Sequence, residues 1–214
     1  MKINEVFAAH QGEVNVGRYG CFVRLCGCNL RCEFCDTKYA YDEYIDLTNK
    51  QLYEQLKTFN YIVFTGGEPL LQQDELNELI HLLQQHNEDV VIEIETNGTI
   101  KPKLSKGIRY NVSPKLSNSG NEYDKRIDKK VLQHHVMLKS NFKFVVETIE
   151  DVDEVNLLVE KIQIPKQLVF LMPKGETRDK QMENMEGVIK MAKVYGYNFS
   201  PRVHVLIFDK MRGV

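Results

Sequence analysis

The chain has 214 residues, with 28 Lys and Arg against 30 Asp and Glu, a formal charge of −2, and 43% hydrophobic residues. A near-balanced charge gives no general field to gather nucleic acid or an anionic membrane. The apolar share excludes wholesale disorder, and the length suits one domain, read here as residues 1–214. The first residues, MKINEVFAAHQGE, lack a basic region followed by an apolar run. No apolar run approaches the ~20 residues of a membrane span. The expectation is a cytoplasmic protein.

In chain order, CFVRL (21–25) predicts a first strand, and a cysteine-dense loop, 26–37, follows it. Residues 48–58 read as a helix with Thr48 as N-cap. YIVF (61–64) predicts a strand that ends in TGGEP (65–69). In 74–86, Leu76, Leu79, Ile80 and Leu83 recur at helical spacing. VVIEI (90–94) leads into ETNG, and IRYNV (108–112) into SPK (113–115). The polar stretch NSGNEYDKR (118–126) reads as a loop and a candidate lid. FKFVV (142–146) precedes a helix over 152–162; QLVFL (167–171) precedes MPKG and a helix over 180–195. RVHVLIF (202–208) predicts a last strand. Alternating strands and helices, with continuous apolar strands, imply an α/β fold with a mostly parallel sheet. About six such units are too few for a closed eight-unit barrel. The expectation is a partial (β/α) barrel of about six parallel strands, open rather than closed, or a doubly wound sheet. In both, ligands sit at the carboxyl ends of the strands, and the motifs above follow strand ends.

All five cysteines fall between Cys21 and Cys35. An odd, clustered set in a chain without a secretion signal points to metal or redox chemistry rather than a disulfide scaffold. A structural zinc site takes four ligands, usually in two pairs, and Cys32-x-x-Cys35 has no second pair. Cys21 and Cys26 lie in or at the end of a strand and read as buried small hydrophobes. The remaining Cys28-x3-Cys32-x2-Cys35 offers three thiolates to a 4Fe–4S cluster, leaving one iron open to an outside ligand.

That spacing, with Phe34 before the last cysteine and GGEP at 66–69, resembles the radical S-adenosylmethionine superfamily. HQGE (10–13), FVRLxGCNLxCxFCDT (22–37), TGGEP, ETNGT (95–99), SPK and PRVH (201–204) together resemble the 7-carboxy-7-deazaguanine synthase family. One departure is Val14, where that family commonly has a second glycine. The resemblance implies a 4Fe–4S cluster, S-adenosylmethionine and Mg2+ as cofactors. The cluster would reductively cleave S-adenosylmethionine to a 5′-deoxyadenosyl radical, which takes hydrogen from C6 of 6-carboxytetrahydropterin. Ring contraction and loss of ammonia then give 7-carboxy-7-deazaguanine.

The resemblance also assigns residues. Cys28, Cys32 and Cys35 would hold the cluster, and Thr37 a magnesium ion that touches substrate. Phe34, Gly66, Gly67, Glu68, Thr96, Ser113, Lys115 and Pro173 would hold S-adenosylmethionine. Gln11, Glu13, Arg24, Thr65, His204 and Val214 would face the pterin. Some of this has independent physical support. Paired glycines let backbone approach closely, and Glu68 offers an anionic acceptor for an ammonium. Lys115 suits a carboxylate as a point charge. Arg24 in an apolar strand needs a partner, either a substrate carboxylate or an internal Glu. His204, alone in an apolar run, reads from its surroundings as a satisfied core residue, and the resemblance makes it a pterin contact. His81, His86, His134 and His135 read as solvated faces. The implied partners are the small pterin, an external one-electron reductant of flavodoxin or ferredoxin type, and a second copy in a homodimer, with no direct nucleic acid and no membrane. Two other readings stay open. One is a radical activase acting on a partner protein; the other is a zinc-stabilised binding module.

Overall fold

Alternate residues of each parallel strand serve opposite faces. In FKFVV, Phe142, Phe144 and Val146 are fully buried in the apolar core, while Lys143 and Val145 line a cavity on the other face. The same period of two puts Ile62 and Phe64, Ile92 and Ile94, and Tyr110 and Val112 into the core. It sets Thr65, Glu95 and Asn111 on the opposite side of their strands. The computed structural model describes residues 1–214.

One nine-stranded sheet runs through the chain in the order β3-β1-β2-β4-β5-β6-β7-β8-β9. Its strands are β1 (Lys2–His10), β2 (Tyr19–Leu25), β3 (Ile45–Asp46), β4 (Tyr61–Gly66), β5 (Val91–Thr96), β6 (Arg109–Val112), β7 (Asn141–Val146), β8 (Val169–Pro173) and β9 (Asn198–Phe199). From β2 through β9 neighbouring strands pair in parallel, whereas β1 pairs antiparallel with both β2 and β3. The order has two free ends, β3 and β9, so the sheet is open, as expected. The helices α1 (Asn49–Leu56), α2 (Gln73–His86), α4 (Lys129–Met137), α5 (Ile149–Ile162) and α6 (Arg178–Tyr195) cover the apolar face; α3 (Tyr123–Arg126) is a single turn. Leu76, Leu79, Ile80 and Leu83 of α2 and Val152, Val155, Val159 and Ile162 of α5 enter the same core as the strands. Thr48 caps α1 by accepting from the Gln51 amide, as the sequence predicts.

Several expectations need correction. β1 was not foreseen: KINEVFAAH mixes polar and apolar residues because it lies near the sheet's edge and only Ile3 and Ala9 are buried. Residues 202–208 are not a strand. Val203–Phe208 form the short helix α7. Pairing ends at Phe199, and Pro201 has no amide to continue a ladder. The apolar run that suggested a strand leaves Ile207 and Phe208 exposed at 57% and 41%. The loop assigned to 118–126 contains a 3-10 turn at Ser117–Ser119 and α3, and α4 after it was missed. His135 is not on a solvated face. It is fully buried on α4, with Tyr110 edge-on at 5.2 Å and Ser140 Oγ at 3.1 Å from Nδ1. His81 and His86 are exposed, and Cys21 and Cys26 are buried, as expected.

Candidate active site

The carboxyl ends of the parallel strands surround a cavity of about 280 Å³. On one wall lies the cysteine loop, contributing Cys28, Cys32, Phe34, Cys35, Asp36 and Thr37. The inner strand faces contribute Arg24, Thr65, Glu95 and Lys143, and segments near the chain ends contribute Gln11, Glu13, Arg202, His204 and Val214. Gly66, Gly67, Thr96, Ser113, Lys115 and Pro173 line the same space. The sequence-predicted residues are thus brought together, with one exception, Glu68.

Glu68 is fully buried behind the wall. Oε1 accepts from the Leu70 amide at 3.0 Å and the Thr96 hydroxyl at 2.9 Å, and Oε2 accepts from the Asn97 amide at 2.7 Å. Burial pushes its carboxyl up from the ordinary value, against these donors. It fastens the TGGEP turn to the ETNG loop and does not itself face the cavity.

The two glycines before Glu68 are required by the chain's own packing. A Cβ on Gly66, whose φ is +123°, would stand 2.2 Å from the Leu25 carbonyl. One on Gly67 would stand 1.9 Å from the Gly27 carbonyl. The Gly67 amide donates to Leu25 and the Glu68 amide to Gly27, so this turn is stitched to the root of the cysteine loop.

The polar wall is an ion-paired network. Lys143, 4% exposed at its side chain, pairs with both Glu13 and Glu95. Arg202 pairs with Asp36 and lies 3.5 Å from Glu13. Gln11 donates to Glu93 at 2.9 Å, and Asn111 donates to Glu95 at 2.9 Å. Burial pushes Glu13 up, yet Lys143 and Arg202 outweigh it and hold its carboxyl well below the usual range. Glu95 has Glu13 and Glu93 for neighbours, and burial raises it to about 7 despite Lys143. Burial lowers His204, so its ring is neutral near pH 7. Position 12 must be glycine, because a Cβ there would lie 2.3 Å from His204 Nδ1. Val14 is not among the positive-φ residues, so its side chain causes no backbone strain.

Arg24 has an internal glutamate as its partner. Its Nε donates to Glu5 at 2.6 Å, and its side chain also lines the cavity. Lys115 donates to Ser113 Oγ at 2.7 Å. Lys143, Glu95, Asp36 and Arg202 were not singled out from sequence as site residues. The available signal was the period of two: a charge at alternate positions of an apolar strand, as in FKFVV and IEIET, must be paired or face a cavity.

A match to the radical SAM superfamily spans residues 23–186. A protein of Pyrobaculum aerophilum named 7-carboxy-7-deazaguanine synthase is 35% identical, over 100% of this chain and 97% of its own length. One of the same name from Hyperthermus butylicus is 35% identical, over 97% of this chain and 92% of its own. The chain belongs to the 7-carboxy-7-deazaguanine synthase family of radical SAM proteins. The crystal structure of QueE from Escherichia coli superposes with a TM-score of 0.77 over 95% of this chain and 94% of that one, at 24% identity, a likeness of fold.

Membership of this radical SAM family implies a 4Fe–4S cluster and S-adenosylmethionine, and the cysteine loop fits the cluster. No three His, Cys, Asp or Glu side chains converge on a single ion-sized point. A cubane instead offers each of three cysteines an iron of its own. Amides also point at the sulfurs: the Leu30 amide at Cys28 Sγ, 3.4 Å, and Asn121 Nδ2 at Cys32 Sγ, 3.3 Å. Such donors favour thiolate ligands. No helix is long and apolar enough to cross a membrane.

Proposed function

We propose that this chain, as one domain over residues 1–214, converts 6-carboxy-5,6,7,8-tetrahydropterin to 7-carboxy-7-deazaguanine with loss of ammonia. The observation that carries the reading is one cavity lined both by the three cysteines and by an ion-paired polar network. Full-length relatives named for that activity support it.

Cys28, Cys32 and Cys35 hold the 4Fe–4S cluster, and Phe34, Gly66, Gly67, Thr96, Ser113, Lys115 and Pro173 border S-adenosylmethionine. When bound, the pair supplies one-electron cleavage chemistry that starts the reaction, with the electron from an external flavodoxin- or ferredoxin-type reductant. Glu68 acts on the cofactor through Thr96 and Asn97, which it holds in place. Gln11, Glu13, Arg24, Thr65, His204 and Val214 orient the pterin. Arg24 commits its Nε to Glu5 and keeps the far edge of the guanidinium for a carboxylate. Glu13 accepts from ring N–H groups while Lys143 fixes its position. Thr37, near the last cysteine, would help hold a magnesium ion, which would supply positive charge to the substrate. The protein acts in the cytoplasm as a homodimer.

The test is anaerobic incubation of iron-reconstituted protein with reductant, S-adenosylmethionine and 6-carboxytetrahydropterin, with mass spectrometry of the products. 7-Carboxy-7-deazaguanine is the expected product. Cleaved S-adenosylmethionine with no deazaguanine would overturn the substrate and favour a radical activase.

A further inference from the structure

The polar stretch 118–126 packs as a strap against the cysteine loop. The Glu33 amide donates to the Ser119 carbonyl at 3.0 Å. A Cβ on Gly120, at φ +75°, would press on the Glu33 side chain at 2.5 Å. Arg126 ties the strap down from behind. Its Nε donates to the Asn121 carbonyl at 3.1 Å, Nη1 donates to the Lys115 carbonyl at 2.7 Å, and Nη1 also pairs with Glu154 at 2.8 Å.

At the centre of this strap, Asn121 reaches the cysteine loop with both ends of its amide. Oδ1 accepts from the Arg31 amide at 3.0 Å, and Nδ2 donates to Cys32 Sγ at 3.3 Å. The flipped amide would set N–H against the Arg31 N–H, so the Arg31 contact fixes the donor on the sulfur. Nδ2 also lies 3.3 Å from the Ser119 carbonyl and from Ser119 Oγ, which hold the group in place.

We propose that Asn121 is a positioning residue that tunes the electron affinity of the cluster through Cys32, which rests on the cluster assignment above. A hydrogen bond to a ligand sulfur stabilises the more negative, reduced state and so raises the reduction potential. Asn121 is the one side-chain amide on a cluster sulfur. The strap thereby sets how readily the external reductant loads the first electron. The segment is part of the electron-accepting apparatus rather than a lid.

The experiment is a redox titration of reconstituted wild type, Asn121→Ala and Asn121→Asp, followed by electron paramagnetic resonance. Asn121→Asp keeps an acceptor for the Arg31 amide but turns a carboxylate toward the sulfur. Both variants should hold iron, and the reduction equilibrium should become less favourable by up to about tenfold in Ala, or about 59 mV for one electron, and by more in Asp. Glu154→Gln, which weakens the Arg126 anchor but keeps the Asn121 amide that reaches the sulfur, should change the potential less than either Asn121 variant. Equal potentials in all forms would overturn it. So would loss of iron from both Asn121 variants with the fold intact by circular dichroism, which would make the strap a structural clamp. A wild type that binds no cluster would instead overturn the cofactor assignment on which this rests.

Discussion

Lys143, in the middle of β7, is ion-paired to Glu13, 130 residues earlier in the chain, and to Glu95 on β5. The pairing joins the loop after β1 to the inner face of the sheet. It is the reason a lysine can sit in a strand whose neighbours are Phe142 and Phe144.

Replacing that lysine should cost both stability and turnover. Lys143→Met leaves Glu95 without its ion partner and Glu13 with Arg202 alone, and breaking a buried pair on one side typically costs about 3–5 kcal/mol. In a chain of this size that lowers the melting midpoint by roughly 10 °C. Thermal and urea unfolding check it; a loss under about 1 kcal/mol would mean the pair is well hydrated.

Acid should destabilise the protein through His135. Burial pushes this histidine down to about 4, against about 6.5 in an unfolded chain. The unfolded state therefore binds more protons between those values. The stability is fully present above pH 6.5 and is lost as pH falls toward 4. At pH 5 the loss is about 2 kcal/mol. Urea unfolding at pH 7 and pH 5 should show a steeper acid loss in wild type than in His135→Leu, and parallel losses would remove His135 as the cause.

Gly67→Ala should strip iron without unfolding the chain. The new methyl group would meet the Gly27 carbonyl at 1.9 Å and Cys28 Cβ at 3.1 Å, so the cysteine loop has to shift. Reconstituted protein should retain well under half the wild-type iron at near-native circular dichroism. Wild-type iron content would show that the loop yields freely.

Magnesium dependence should separate Thr37 from the cluster ligands. Its hydroxyl lies 3.6 Å from Cys35 Sγ and on the cavity wall. Product formation should rise with added magnesium. Thr37→Ala should lower turnover on the order of tenfold to a thousandfold while leaving iron content and S-adenosylmethionine binding near wild type. Full activity without magnesium in both proteins would remove the metal from the account.

What was legible in the sequence was local. Cys28-x3-Cys32-x2-Cys35 and TGGEP are compact patterns whose spacing carries their chemistry, and both lie at strand ends as expected. The strands of the parallel core were legible because a strand buried on both faces reads as an apolar run. The network of Lys143, Glu13, Arg202 and Asp36 was not, because its members lie far apart in the chain, three of them in loops, and meet only once it folds. Val203–Phe208 misled for a physical reason. β-Branched composition describes a fit to a neighbouring strand, and beyond Pro201 there is none to pair with. Glu68 was expected to accept from the cofactor's ammonium, whereas its three hydrogen bonds turn it inward, which no local pattern reveals.

The central claim is that cofactor and pterin meet in one cavity, lined by both the three cysteines and the ion-paired network. It is tested most directly by incubating reduced, reconstituted protein with S-adenosylmethionine and 6-carboxytetrahydropterin deuterated at C6, then reading the isotope content of the 5′-deoxyadenosine. Deuterium should appear in 5′-deoxyadenosine as 7-carboxy-7-deazaguanine forms. Unlabelled 5′-deoxyadenosine, produced at the same rate with and without the pterin, would contradict it.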